Sequence, residues 1–548
     1  MQIQGGDVGS KSPVWCAAVL GEFDEAGPDL VRRFAHATPG ARMAVIARSR
    51  PPRGALPLVA ACWCLASACG LEEPQDLLDP GPRKIVVQAA NTGSLNAAAT
   101  AGLILEITHW LQYDSTLIVR TPSRRSLPVT DDVVAGDIDE VLWVEARTED
   151  GEVAVRWDLV GTDAVRPPSF AAHGAIRDAL PRLPGSVAAA VASTWGRRQA
   201  MGKVTGPTPA DDGSAYLDFL RILGAPPTAD DPRDGLRTRI ERLDSLGSRL
   251  PDYVPLSYAL GSAYLDLAGL VGGTGPYYRL AEEELTRAFE LDPEDPPVRA
   301  KLASFFAKLG RSEESVSLLV EGLATHPHFP EFHQTLGYVL RYAGLMEESM
   351  ASYGRSQELD SSTANLVSAQ DQITKSLIYL GDYDAALASH RRMLAFAEQG
   401  GRSVDEKQWF YEGVIHLYRG DADSAVHALR AGARLDPVSV WTTFGRAYEG
   451  MALGDTAAVA RVLDELEQRE VVDGERHYRL VHFAAFIGEV DRAVHHLRQS
   501  TGGGFFNASY LATDPWTEAL RGRPDVDRLI GAARVRGESI AKLLEDRR

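Results

Sequence analysis

The side chains that could carry chemistry are scattered along this chain rather than gathered. A helical metal site needs two donors about one turn apart and a third nearby. His326 and His328 flank Pro327, His495 and His496 are adjacent and diverge, and His477 and His482 are five apart. A phosphate cradle needs several glycines directly after a strand, and Asn91-Thr-Gly-Ser94 offers one. Nucleophilic catalysis needs a serine or cysteine within reach of a base. Ser94 has no evident histidine, His109 sits in an apolar helical stretch, and Asp137 and Asp139 border a strand start as solvated carboxylates would. Glu145 lies close by and adds no nucleophile or second base. These spacings predict no catalytic residue, no metal ligand and no cofactor site. Cys16, Cys62, Cys64 and Cys69 all lie in the first 69 residues, so the remaining chain has no thiol for a disulfide or a metal.

The pattern that does repeat is a packing pattern. Gly310, Gly344, Gly381, Gly420, Gly454 and Gly488 recur at spacings of 34, 37, 39, 34 and 34. Seven residues before each glycine stand Ala303, Gly337, Thr374, Gly413, Ala447 and Val481. Five residues after it stand Ser315, Ser349, Ala386, Ala425, Val459 and Ala493. Two antiparallel helices approach closely only where such residues are small. An earlier copy begins at Gly261 and resumes at Ala281, Leu285 and Ala288, which makes seven helical hairpins over 251–500. This register resembles the tetratricopeptide repeat. The resemblance implies a superhelical solenoid whose first helices line a concave face. On that face it places Tyr258, Gln334, Tyr338, Arg341, Phe410, Trp441, Phe444, Tyr448, Met451 and Tyr478. Tyr338, Arg341, Phe410, Trp441, Phe444, Tyr448 and Tyr478 are the candidate peptide groove, its second half aromatic rather than charged. Such a groove favours an apolar or aromatic segment over a carboxylate terminus.

Flanking segments complete the organisation. Over 83–200, a strand from Arg83 to Gln88 precedes a helix carrying Leu103, Ile104, Ile107 and Leu111. Leu117-Ile-Val-Arg120 follows, then the strand Val141-Leu-Trp-Val-Glu145 with its hairpin partner 152–160, then a helix near 184–199. This order resembles the TolB-like amino-terminal domain that precedes helical repeats in many bacterial proteins, and implies a recognition module without chemistry of its own. Residues 201–250 read as a linker and a helical cap for the array. Residues 501–548 read as a capping segment: Gly502-Gly-Gly-Phe-Phe506 breaks the period, and Asp514-Pro-Trp-Thr-Glu-Ala-Leu-Arg521 can cover the last repeat.

Residues 1–82 read as a poorly ordered leader and linker. Arg48, Arg50 and Arg53 precede an apolar run, Ala55 to Cys69, and then an acidic, proline-bearing spacer. That order resembles a bacterial lipoprotein signal and implies Met43 as the start and lipidation at Cys69. The alternative is a buried helix of a cytoplasmic domain.

The chain has 548 residues, 45% of them hydrophobic, and 57 Lys and Arg against 75 Asp and Glu, a net charge of −18. A surface that acidic repels phosphate backbones, so no nucleic-acid partner is expected. The sequence predicts a mainly α protein: a tetratricopeptide solenoid preceded by a small α/β domain. Its expected role is a non-catalytic scaffold that binds a protein or peptide, lipid-anchored at the bacterial cell envelope and facing the periplasm. The alternative is a cytoplasmic signalling or transcription-regulator protein with a degenerate or missing amino-terminal effector domain. The patterns leave the partner's identity and the oligomeric state open.

Overall fold

The computed structural model describes residues 15–18, 42–45, 83–89, 97–113, 117–120, 140–149, 152–161, 169–175, 180–194, 212–225, 232–271, 275–468 and 473–546. The chain divides into two compact units, Met1–Pro80 and Gly81–Arg548. In the first, strands β1 (Trp15–Ala18) and β2 (Arg42–Val45) pair in parallel, Trp15 opposite Arg42 and Ala18 opposite Val45. Paired backbone thus occupies Met43, within a stretch expected to be a leader. The arginine-rich segment beyond it, the apolar run and Cys69 lie outside the described residues.

The second unit begins with a five-stranded sheet in the order β4-β3-β5-β6-β7. Its strands are β3 (Arg83–Ala89), β4 (Leu117–Arg120), β5 (Glu140–Glu149), β6 (Glu152–Gly161) and β7 (Ser169–Ala175). β3 pairs in parallel with β4 and β5, while β6 and β7 continue the sheet antiparallel. Ile85, Val86 and Val87 are all buried, as in a central strand covered on both faces. The sequence reading stopped at β6. β7, Ser-Phe-Ala-Ala-His-Gly-Ala, is rich in small residues with weak strand preference, which is why it left no pattern.

Helices α1 (Ala97–Leu111), α2 (Leu183–Thr194) and α3 (Gly213–Gly224) cover the sheet region with Leu103, Ile104, Val187, Tyr216, Phe219 and Leu220 in one core. α3, expected as half of a cap at the array's amino end, sets Tyr216 and Phe219 5.9 and 5.3 Å from the Tyr253 ring where the array begins. It packs on α1, because Gly102 and Gly224 let the two backbones touch: a Cβ at either glycine would collide with the Leu220 or Ala98 carbonyl. The other half, α4 (Pro232–Asp244), packs on the first repeat helix.

Seven helical hairpins follow. They are α5 (Val254–Val271) with α6 (Gly275–Leu291), α7 (Pro296–Lys308) with α8 (Ser312–Thr325), and α9 (Pro330–Ala343) with α10 (Met346–Leu359). Next come α11 (Thr363–Leu380) with α12 (Tyr383–Gln399), α13 (Glu406–Tyr418) with α14 (Ala422–Leu435), α15 (Val440–Leu453) with α16 (Thr456–Glu467), and α17 (Gly474–Phe486) with α18 (Val490–Gly502). The six periodic glycines share one backbone state, with φ of +74°, +87°, +79°, +77°, +71° and +82°. Each ends a first helix in the left-handed region, which glycine enters without a Cβ clash. The small positions sit where the spacing required. Ala303, Ala386 and Ala447 have no exposed surface. A Cβ on Gly337 would meet the Tyr353 ring at 2.9 Å. Ser315 and Ser349 add a bond across the hairpin, each hydroxyl donating to the carbonyl of residue 303 or 337 at 2.7 Å.

After the array come α19 (Ala508–Thr513), a 3-10 turn (Pro515–Leu520) and α20 (Pro524–Glu545). The α/β region and the array are joined through α1. Asp295 caps α7 through the Val298 N–H at 3.0 Å and also accepts from His109 Nε2 at 2.6 Å and the Tyr113 hydroxyl at 2.8 Å. Tyr113 also donates to Asp292 at 2.8 Å, and Tyr253 donates to the buried Glu106. His109 is therefore half of an ion pair rather than a residue of an apolar helix face.

Burial disfavours the charged imidazole of His109, but Asp295 outweighs it and raises the group to about 9. A histidine raised from about 6.5 to about 9 contributes stability that is complete below pH 6.5 and is lost as pH rises through 9. The difference in urea midpoint between the parent and His109→Gln should therefore be largest at acidic pH and shrink across that window. A difference independent of pH would contradict the charged pair.

Candidate peptide-binding face

The inner helices α9, α13, α15 and α17 carry the predicted groove residues, and the structure brings them to one side of the array. It does not leave them open. Arg341, Phe410, Phe444, Tyr448 and Tyr478 are each at most 2% exposed, whereas Tyr338 and Trp441 are half-buried. The expected open aromatic groove is thus corrected to a filled interior with a rim.

Two features fill it. The first is the curvature of the array, which brings α17 back against α9. Both terminal nitrogens of Arg341 donate to Glu475 Oε2 at 3.1 Å, across 134 residues of sequence. Arg479, one turn along α17, donates to Glu475 Oε1 at 3.0 Å and to the Tyr411 hydroxyl at 3.0 Å. The Tyr379 hydroxyl donates to the same carboxylate. Beside it, Asp473 accepts from Tyr342 at 3.0 Å and from Tyr338 at 3.4 Å. Burial alone would raise the Glu475 carboxyl, but Arg341 and Arg479 outweigh it and hold the group well below the usual carboxylate range. A buried charge needs both partners and saturated hydrogen bonds, and here it has them.

The second feature is the chain after the last repeat, which turns inward instead of only covering the final hairpin. The run Gly502-Gly-Gly504 makes this possible: a Cβ on Gly310 would lie 2.8 Å from both the Gly502 carbonyl oxygen and the Gly504 nitrogen. Phe505 then stacks among Tyr342, Tyr379 and Tyr478 at ring separations of 5.5, 5.3 and 5.2 Å. The Phe506 N–H donates to the Tyr342 carbonyl at 2.9 Å. Further on, Asp514 accepts from His482 Nε2 at 2.7 Å and from Tyr478 at 3.0 Å, while the Tyr448 hydroxyl lies 2.8 Å from His482 Nδ1. Burial opposes the Asp514 charge, yet His482 and these donors hold its carboxyl below the ordinary range. Finally α20 runs back over α8, where Arg536 pairs with Glu313 at 2.8 Å and lies 4.3 Å from the Phe506 ring.

At the rim the chemistry differs. The Trp441 ring sits 5.3 Å from Phe410 and 5.7 Å from Tyr411, with Lys407 Nζ at 5.9 Å and the Arg476 guanidinium at 5.5 Å. Lys407 and Lys375 both donate to Asp371, at 2.9 and 3.0 Å, and Lys375 also lies 4.7 Å from the Tyr411 ring. The rings are present as expected, and Lys375, Lys407, Arg476 and Arg479 stand among them in addition to Arg341. Lys407 and Glu475 occupy the same repeat position, and Asp371 and Lys375 occupy inward positions of the fourth repeat, so the register could have found them. Arg476 lies off those positions and reaches the Trp441 ring from the neighbouring hairpin.

Among the described residues, no three His, Cys, Asp or Glu side chains form a group that could hold a metal ion. Among the same residues no helix is long and apolar enough to cross a membrane.

No family model matches the chain, and no curated protein matches it. Solved structures do resemble it. A thermophilic tetratricopeptide-repeat protein of Thermus thermophilus is 18% identical over 36% of this chain and 98% of its own, with a TM-score of 0.31. A tetratricopeptide repeat protein from Parabacteroides merdae is 14% identical over 50% and 98%, with a TM-score of 0.33. Yeast Tom70 is 13% identical over 61% and 67%, with a TM-score of 0.34. The array is a tetratricopeptide-like solenoid. That assignment rests on its own hairpins and their left-handed glycines, and the α/β sheet precedes it.

Because Glu475 is shared by two arginines, removing it strands both. Glu475→Ala should destabilise the fold by about 3–5 kcal/mol, as loss of one partner from a buried pair does. Phe444→Ala should cost a similar amount, about 3–5 kcal/mol, through the cavity it leaves. Chemical denaturation reads both, and losses under 1 kcal/mol would show that the closure is peripheral.

Proposed function

We propose that this protein is a non-catalytic scaffold that holds a protein or peptide segment at the rim of its solenoid, around Trp441 and Tyr338. One observation carries the reading. Trp441 presents a half-exposed indole whose N–H donates to no described residue, flanked by two cations, while the rings beneath it are buried and satisfied. Aromatic residues with a rigid apolar body and a free polar handle are the usual anchors of protein interfaces. The TolB-like reading of 83–200 belongs to the same proposal, as a second recognition module fixed to the array through His109 and Asp295.

Trp441→Ala separates rim from core. In a screen against an immobilised peptide library, the substitution should weaken selected peptides by about 2 kcal/mol or more, the loss typical of a hot spot. The melting temperature should barely move. Binding that survives Trp441→Ala and Tyr338→Ala together would sink the rim as the site.

For the setting of the protein we propose attachment to the cell envelope through lipidation of Cys69. The support is the order of Arg48, Arg50 and Arg53, the apolar run and the small residues Ala66-Ser-Ala68 before that cysteine. The cytoplasmic regulator is the second reading, favoured by the pairing of Arg42–Val45 with Trp15–Ala18, since a chain starting at Met43 would lack β1. Membrane fractionation and intact mass decide between them. The lipid-anchored form should gain acyl mass and lose it in Cys69→Ser, and an unmodified soluble wild type would establish the second reading.

A further inference from the structure

The stretch after the last hairpin is held by contacts of the kind a bound peptide makes. Phe505 enters a cage of Tyr342, Tyr379 and Tyr478, and Tyr510 follows at 4.7 Å from Tyr379 and 5.4 Å from Tyr478. A backbone bond joins the stretch to α9, from the Phe506 N–H to the Tyr342 carbonyl. At its far end, Asp514 Oδ2 accepts from His482 Nε2 at 2.7 Å and from the Tyr478 hydroxyl at 3.0 Å, while Oδ1 caps the 3-10 turn through the Trp516 N–H. Glycines with positive φ bound the stretch, Gly504 at +96° and Gly522 at +78°, and beyond the second α20 is pinned to α8 by Arg536 and Glu313.

The surface beneath is built without this stretch. Arg341, Glu475 and Arg479 tie α9 to α17 by bonds internal to the array, and the Tyr342 and Tyr379 hydroxyls donate to Asp473 and Glu475. Those tyrosines are satisfied at their polar ends and offer their ring faces to Phe505. Tyr478 and His482 instead converge on Asp514, and Tyr448, 2.8 Å from His482 Nδ1, fixes that imidazole from behind. One tyrosine, Tyr478, thus touches the incoming ring with its face and the incoming carboxylate with its hydroxyl. The seam is also imperfect. A cleft of about 400 Å³ separates the tail from the last hairpin, with Val481 and Leu497 on one wall, Leu511 and Leu520 on the other, and exposed Arg521 and Arg534 at its mouth. Asn507, against Gly344 of α9, is 1% exposed, and its amide nitrogen has no partner among the described residues. A core packed as one piece leaves few voids larger than a water molecule and few unpaired buried polar groups. Here both lie where the tail meets the array.

We propose that residues 505–514 are a ligand held in cis, and that the surface they cover binds a peptide segment of a partner protein in their place, through an aromatic side chain in the Tyr342–Tyr379–Tyr478 cage and a carboxylate at His482 and Tyr478. The stretch is then an autoinhibitory strap that lifts between its two glycine ends while α20 stays docked. A tethered segment competes at the effective concentration its tether sets, so a partner takes the site by binding more tightly or when the strap is weakened. The Trp441 rim is a different surface, its neighbouring rings being Phe410 and Tyr411, and each stands or falls without the other.

The test uses the full chain, with a fluorescent synthetic peptide of residues 502–517 as the probe. The parent should hold it weakly, because the strap competes. The double variant Phe505→Ala, Asp514→Asn loses the ring and the charge but keeps an asparagine able to cap the turn. Fluorescence anisotropy should show it binding the peptide about 10- to 100-fold more tightly than the parent does, the range for a charge-assisted hydrogen bond. Peptides that themselves carry Phe505→Ala or Asp514→Asn should bind the double variant about 10-fold more weakly than the unaltered one. A folded double variant that binds no better than the parent would overturn the strap. Equal binding of the altered peptides would overturn the pairing of ring and carboxylate. Binding that Trp441→Ala abolishes would move the peptide to the rim and away from this surface. Should the double variant fail to fold, hydrogen exchange on the parent decides. Excess peptide should speed exchange of the Phe506 amide, which the Tyr342 carbonyl protects in cis, and an unchanged rate would sink the proposal.

Discussion

One carboxylate ties the seventh hairpin of the array to the third. Glu475 sits between Arg341 and Arg479 with Tyr379 completing its shell. A solenoid needs only neighbour contacts and is open by default. Here a buried charge on the seventh hairpin is satisfied by the third, so the array cannot unwind without exposing a carboxylate and two guanidiniums that were desolvated together. The ion pair need not add net stability over an apolar contact. Its effect is to make the closed arrangement the one in which the Glu475 carboxylate and both guanidiniums find one another.

How much of this was legible follows from the range of each interaction. Contacts within a hairpin are set by residues 12 apart, such as Ser315 with Ala303, and they repeat, so the sequence shows them as a period. The glycines were legible because one backbone requirement recurs six times. The fate of Phe444 and Tyr448 was not legible. Their inward position follows from the repeat, but whether inward means groove or core depends on curvature, which small changes in each helix pair accumulate. The tail illustrates the same limit. The triple glycine at 502–504 read as a break in the period, and its partner, Gly310, lies nearly two hundred residues away.

The α/β region shows a different limit. Strands with branched apolar residues, such as Ile85-Val-Val87, announced themselves, while β7 with its alanines did not. His109 looked like a helix residue among apolar neighbours because its partner, Asp295, is 186 residues distant and doubles as a helix cap. Both the junction and the closure thus place one acidic residue under several donors from remote segments.

The inward turn of the tail also has a consequence for how the chain is made. Synthesis proceeds from the amino end, and domains form as they emerge. The hairpin carrying Arg341, Tyr342 and its neighbours is complete long before Glu475, Phe505 and Asp514 leave the ribosome. Until then its aromatic inner surface and an unpaired guanidinium face water. The nascent array is therefore an open spiral with an exposed interior, and it becomes the closed molecule only when the last segment arrives.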